Sequence, residues 1–305
     1  MNEPTTRAHV APADLAPADL PYPPFLGEEA VPPDPARASA AILPVPYDLT
    51  STWRKGADRG PSALLQASAT VELYDIETAF EPWRRGIVTL PPILHDGGPE
   101  ELAALVRERV GAILGRDALP VVLGGEHSVT IGAVEAVTDA FPGAGILQVD
   151  AHGDTREAYE GSTHNHACVM ARARERGPIV QVGIRAVDAS EMERLDPDRV
   201  FWAHAIARRG EDGWMDEVVE LLPERVYLTI DLDAFDPSLL PATGTPEPGG
   251  LGWYEVNELV RRVARRRRIV GFDVVELLPI PGQHASEFVA AKLVHRVLAE
   301  VLASR

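Results

Sequence analysis

One cysteine, Cys168, stands in 305 residues, so no intrachain disulfide can form and a reducing cytoplasm is the expected compartment. A nucleophilic thiol would need a base and an electropositive setting; Cys168 reads instead as a small buried apolar residue. Long apolar runs are also missing. None approaches the ~20 residues of a membrane span, and no charged stretch leads into an apolar one at the amino terminus, so neither a spanning helix nor a secretory leader is expected. Bases are scarce beside acids: 29 Lys and Arg against 46 Asp and Glu leave a formal net charge of -17. That balance argues against DNA or an acidic membrane surface as a partner and is compatible with a small cationic substrate. The one basic run, Arg261-Arg262 and then Arg265 to Arg268, reads as the solvated end of a helix, facing the negative end of its dipole.

What is present is an ordinary globular composition. With 45% hydrophobic residues the chain is long enough for one large α/β domain or two small ones. The first 37 residues hold nine of the 27 prolines and a repeated Ala-Pro-Ala-Asp-Leu at 11 to 15 and 16 to 20, and predict a tail, flexible or laid over the surface. From Ala38 the pattern alternates. Strands are predicted at Ser39 to Val45, Pro120 to Leu123, Gly145 to Val149, Ile179 to Val182, Val226 to Ile230 and Ile269 to Val274. Helices are predicted at Pro61 to Tyr74, Pro99 to Leu114, Ile131 to Ala140, Met215 to Leu222, Tyr254 to Arg265 and Ser286 to Leu302. Such alternation predicts an α/β three-layer sandwich, a mainly parallel sheet with helices on both faces, in a single domain from 38 to 305.

Three of the strands end in polar groups. Leu119 to Leu123 leads into Gly124-Gly125-Glu126-His127, Ile146 to Val149 into Asp150-Ala151-His152-Gly153-Asp154, and Val226 to Ile230 into Asp231-Leu232-Asp233. Ligands of open parallel sheets bind outside the carboxyl ends of the strands, so four carboxylates and two imidazoles would converge there if the strands are neighbours. Packed carboxylates repel and raise one another's pKa, which calls for cations, and a pair of divalent ions is the simplest partner. Carboxylate and imidazole ligands without thiolates suit Mn²⁺, with Fe²⁺, Co²⁺, Ni²⁺ and Zn²⁺ also open. In Asp-x-His-x-Asp and Asp-x-Asp, alternate side chains leave an extended backbone on one side and can reach one site. Each spacing alone is a weak signal, since Asp and His at loop starts commonly cap helices and turns.

Taken together, Gly124-Gly125-Glu126-His127-Ser128, Val149-Asp150-Ala151-His152-Gly153-Asp154 and Ile230-Asp231-Leu232-Asp233-Ala234-Phe235-Asp236-Pro237 resemble the signature segments of the ureohydrolase superfamily, the arginases and agmatinases. Pro44-Val45-Pro46-Tyr47-Asp48, Gly56 through Gly60-Pro61, Val182-Gly183-Ile184-Arg185, Phe272-Asp273-Val274-Val275-Glu276 and Ala290-Ala291-Lys292-Leu293 extend the likeness over residues 38 to 303. The resemblance implies an arginase-like fold and two Mn²⁺ per subunit. His127, Asp150, Asp154 and Asp231 would hold one ion, and Asp150, His152, Asp231 and Asp233 the other, with Asp150 and Asp231 bridging. It further implies hydroxide attack on a guanidinium carbon, releasing urea and an amine, with Glu276 binding the guanidinium. A carboxylate suits the planar fork of that group.

The loop after Asp154 bears on the subfamily. Glu160-Gly161 followed by His166-Ala167-Cys168 resembles the agmatinase-like branch, where a histidine shuttles protons to the leaving amine; His166 is in register with it, and His164 competes for the role. His166, Glu276 and Asp154 are thus the expected catalytic residues, with His166 and Glu276 binding substrate. Thr155-Arg156-Glu157-Ala158 and Gly282-Gln283-His284 depart from the family pattern, and both loops are expected to border the substrate mouth. Agmatine is the expected substrate, giving putrescine in polyamine biosynthesis, ahead of guanidinobutyrate, guanidinopropionate, guanidine, arginine and formiminoglutamate. A non-catalytic metal-binding relative and a single-zinc deacetylase of related fold are the other readings. Resemblance also implies a homo-oligomer, trimer or hexamer.

Overall fold

The apolar runs assemble into one eight-stranded sheet, seen in a computed structural model that describes residues 22–30, 32, 34, 37–210 and 212–304. The strands are β1 (Ala40–Val45), β2 (Ile87–Thr89), β3 (Leu119–Gly124), β4 (Gly145–Val149), β5 (Ile179–Ile184), β6 (Val200–Trp202), β7 (Arg225–Asp231) and β8 (Arg268–Val275). Their order is β2-β1-β3-β8-β7-β4-β5-β6, and every neighbouring pair is parallel. The helices are α1 (Gly60–Ser68), α2 (Pro99–Leu114), α3 (Thr130–Ala140), α4 (Val169–Arg174), α5 (Ala203–Arg209), α6 (Gly213–Leu221), α7 (Trp253–Arg266) and α8 (Ala285–Ala303). Among the described residues no helix is long and apolar enough to cross a membrane.

Side-chain alternation along the strands feeds two cores. Ile42, Leu119, Val121 and Leu123 point to the side covered by α1, α6, α7 and α8, where Leu65, Trp214, Val260 and Val294 are buried. Leu43 and Val122 point to the opposite side, against Val106, Val137 and Met170 of α2, α3 and α4. This is the expected three-layer α/β sandwich. The two strands not anticipated, β2 and β6, are the sheet's edges and have three residues each, too few to show a period. Helix α1 stops at Ser68 rather than reaching Tyr74.

The segment expected as a tail divides. Its repeat at 11 to 20 lies outside the described residues. Phe25 and Leu26, in contrast, sit in the core at 2% and 3% exposure, with their backbone N–H groups donating to Thr89 Oγ1 and Ser68 Oγ. The basic run lies on the outer face of α7 and just beyond it: Arg261 and Arg262 bond Glu258, and Arg262 and Arg266 reach Asp216 of α6.

Strand order is the feature that matters for chemistry. β3 and β4 are consecutive in the chain, yet β8 and β7 lie between them. The carboxyl ends of β3, β8, β7 and β4 therefore stand side by side, at the kind of topological break where α/β sheets bind ligands.

Candidate metal centre

Each predicted metal-ligating residue leaves one of those ends. After β3 the backbone runs so close to the Tyr47 carbonyl that a Cβ on Gly125 would lie 2.1 Å from its oxygen, so only glycine fits. The chain then turns through His127–Val129 into α3, which carries His127 inward. Asp150 follows β4 directly, and its Oδ1 accepts the His152 N–H at 2.6 Å. Asp231 ends β7 and accepts the Asp233 N–H at 2.9 Å, closing the short turn Leu232–Ala234. Asp154 has a left-handed backbone, φ 51. Tight turns built on the aspartates themselves, and not the extended alternation expected from the spacing, thus gather the side chains.

His127 Nδ1 lies 3.0 Å from Asp154 Oδ2, 3.2 Å from Asp150 Oδ2 and 3.4 Å from Asp231 Oδ2. His152 Nδ1 lies 2.9 Å from Asp233 Oδ2 and 3.8 Å from Asp150 Oδ1. Two groups with ligand atoms close enough to hold an ion emerge, His127-Asp150-Asp154 and Asp150-His152-Asp233, and they share Asp150. The electrostatics are those of a cluster short of positive charge. Burial, then Asp233 and Asp154, push Asp150 up to about 7, and burial, Asp233 and Asp150 push Asp231 well above the carboxylate range. Burial opposes a proton on His127 and His152, but the facing aspartates prevail, raising His127 well above its ordinary value and His152 to about 10. Among the described residues His127 Nδ1 is buried without a hydrogen-bond partner. A bare imidazole nitrogen ringed by three carboxylates is the donor set of a divalent cation, so the residues fit the expected ions.

A surrounding set of polar side chains holds the cluster in place. His127 Nε2 is 2.9 Å from Thr229 Oγ1, which donates to Asp273 Oδ1 at 2.6 Å; Tyr227 and Thr130 donate to the other oxygen of Asp273. The chain fixes the ring so that Nδ1 faces the carboxylates. Gln148 Nε2 donates to Asp150 Oδ2 at 2.7 Å, and Gln181 Nε2 to Gln148 Oε1 at 2.6 Å. Sequence reasoning missed Thr229, Gln148 and Gln181. The signal was there: each is a polar residue inside an otherwise apolar buried strand.

A cavity of 360 Å³ opens on the cluster and is lined by His127, His152, Asp154, Asp231 and Asp233, together with Glu276 and His166. Glu276 follows β8 with a left-handed backbone, φ 66; its N–H donates to Gly125 O, and its Oε1 accepts the His127 N–H at 2.7 Å. His166 also faces Thr50 Oγ1 at 3.1 Å, and burial lowers its pKa. His164 is turned elsewhere, 3.8 Å from Glu100 and bonded to Thr163, and does not line the cavity. Arg156 lines the wall and stacks its guanidinium 4.5 Å over Tyr159, while Thr155 is buried against Glu191. The other divergent loop is misplaced in the sequence reading. Gln283 and His284 do not line this cavity; His284 is exposed and borders a separate 430 Å³ hollow beside Phe288, because the chain after Glu276 runs away from the cluster toward α8. Burial pushes the Cys168 thiol up to about 11, as for a packed residue and not a nucleophile.

The model of the Arginase family matches residues 38–299. The N(1)-aminopropylagmatine ureohydrolase of Thermus thermophilus is 42% identical over 277 residues, 89% of this chain and 92% of the relative. The protein of the same name from Synechocystis sp. is 39% identical, covering 86% of this chain and 89% of the relative. Among solved structures, the agmatine ureohydrolase of Thermoplasma volcanium superposes with a TM-score of 0.80 at 33% identity, over 88% of this chain and 91% of that one.

Proposed function

The chain belongs to the arginase family and is a ureohydrolase, and on that premise we propose that it hydrolyses a decarboxylated guanidino compound to urea and a primary amine with two Mn²⁺ ions per subunit. N1-aminopropylagmatine is the first substrate of this reading, supported by the printed names of the Thermus and Synechocystis relatives. Agmatine, the substrate expected from the sequence, is the second, supported by the Thermoplasma enzyme's name. The observation that carries the reading is the meeting of His127, Asp150, His152, Asp154, Asp231 and Asp233 at one end of the sheet, with Glu276 in the same cavity.

His127, Asp150, Asp154 and Asp231 would hold one ion and Asp150, His152, Asp231 and Asp233 the other. Bound there, such ions lower the pKa of water enough to supply a nucleophile near neutral pH. The remaining work falls to the protein. Glu276, buried and anchored by the His127 N–H, keeps one carboxylate edge for the planar guanidinium and turns its carbon toward the cluster. His166 passes a proton to the departing nitrogen. Bonds balance: the guanidinium carbon gains oxygen and loses the amine, which leaves as an ammonium ion carrying both protons of the water. The enzyme is read as a cytoplasmic homo-oligomer.

Urea release measured with Mn²⁺ over a panel of aminopropylagmatine, agmatine, guanidinobutyrate, guanidinopropionate, guanidine and arginine tests this. Aminopropylagmatine is expected to have the highest kcat/KM. Metal-loaded protein that releases urea from none of them would end the reading.

A further inference from the structure

One hydroxyl joins the loop at 48–56 to the turn His166–Cys168 above the cavity. Thr50 Oγ1 lies 2.8 Å from Glu126 Oε1, 3.1 Å from His166 Nδ1 and 3.0 Å from the His166 backbone nitrogen. The backbone N–H can only donate, so it takes one lone pair of the hydroxyl. Glu126 is fully buried and surrounded by donors: its Oε2 accepts the Thr50 backbone N–H at 2.6 Å, and its Oε1 accepts Ser128 Oγ at 2.6 Å. A carboxylate so placed accepts, and the Thr50 hydroxyl proton points to it. The second lone pair of Thr50 Oγ1 is left for His166 Nδ1, and only an N–H satisfies it. In the neutral ring the proton is therefore on Nδ1, and Nε2 is bare toward the cavity that His166 lines.

We infer that Thr50 and Glu126 are positioning residues that hold His166 as its Nδ1–H tautomer, so that Nε2 is the atom that carries a proton to the leaving amine. The step rests on the proton-transfer role proposed for His166. Nε2 takes the first proton that water loses on attack and gives it to the amine nitrogen as the C–N bond breaks; the second leaves the hydroxyl of the collapsing intermediate and completes the ammonium ion, so the ring ends as it began. The arrangement is the reverse of the one at His127, where Thr229 and Asp273 engage Nε2 and leave Nδ1 bare. One threonine and one carboxylate thus select opposite nitrogens of two rings that face the same cavity.

The test uses the full-length protein. With ¹⁵N-histidine label and Mg²⁺ as a diamagnetic ion, long-range ¹H–¹⁵N spectra read the tautomer, the His166→Asn spectrum giving the assignment; urea release with Mn²⁺ gives kcat and KM. Wild type is expected as Nδ1–H. Thr50→Val should lose that preference and drop kcat about tenfold to a hundredfold with KM unchanged, and Thr50→Ser should keep both. The inference is overturned if wild-type His166 is Nε2–H, or if Thr50→Val keeps both tautomer and kcat. The wild-type spectrum needs no turnover, so it decides even where Thr50→Val does not fold, and it separates a failed relay from a failed urea assay.

Discussion

Two buried groups of carboxylates lie in this fold and are built on opposite plans. Around Arg296, which is 2% exposed, Nη1 donates to the buried Asp75 at 2.6 Å and Nη2 to the buried Glu300 at 2.7 Å and to the exposed Glu77 at 2.9 Å. Although burial opposes it, Thr78 hydrogen bonds and the guanidinium keep Asp75 below its ordinary pKa, whereas at Glu300 burial outweighs the guanidinium and raises it. At the ends of β4 and β7 the aspartates are equally buried, but among the described residues no Lys or Arg pairs with their carboxylates; burial pushes Asp150 and Asp231 up, and against burial the facing His152, foremost, holds Asp233 down to about 2. In the first group the chain supplies its own cation, and the acids hold elements together. In the second the cation must come from outside, so the acids cost stability until it arrives. The same residue type therefore serves structure or chemistry according to where its counter-charge originates.

The contrast can be broken most sharply at Asp231. Asp231→Asn should lower urea release by about a thousandfold or more, since several kcal/mol of charge stabilisation go with the ion. The thermal midpoint of the metal-free protein should stay level or rise. A fall of that midpoint would show that Asp231 supports the fold as Asp75 does. Arg296→Met is the mirror experiment: stranding buried carboxylates costs about 3–5 kcal/mol in denaturant unfolding, while the folded fraction keeps its kcat. Thr229→Val probes the support of the second group. It should weaken Mn²⁺ binding by titration calorimetry about tenfold to a hundredfold, with little change in unfolding free energy.

The smallest effect concerns pH near the first group. His295 is buried next to Arg296, and burial, then Lys292, lower it from its ordinary 6.5 to about 4. The unfolded chain takes up this proton before the folded one does, so the contribution is present above about 6.5 and is lost as pH falls toward about 4. His295→Phe should flatten that part of the stability curve in thermal scans at stepped pH, and an unchanged slope would clear His295 of the role.

Much of this was legible in the sequence because the residues that define it are local. Apolar runs marked six strands, and the polar clusters at three of their ends marked the six candidate ligands. Adjacency was not legible, since it depends on β8 and β7 inserting between β3 and β4, through pairings as distant in the chain as Val121 with Phe272 and Gly145 with Val226. The turns were not legible either: Asp150 and Asp231 bend their own backbones, which spacing alone does not reveal. Thr50 escaped notice for the opposite reason. A lone threonine in a polar loop carries no pattern until Glu126 and His166 are seen to meet at its hydroxyl.

The late insertion of β7 and β8 has a consequence for biosynthesis. When β3, β4 and the segments that carry His127, Asp150, His152 and Asp154 have left the ribosome, the strands that must lie between them are still to be made. The nascent chain then presents two apolar strand edges with no partner, the state most exposed to mispairing. Only when the chain has been translated past Glu276 can the sheet close and the centre be completed, so ion loading is confined to the last stage of synthesis or after release.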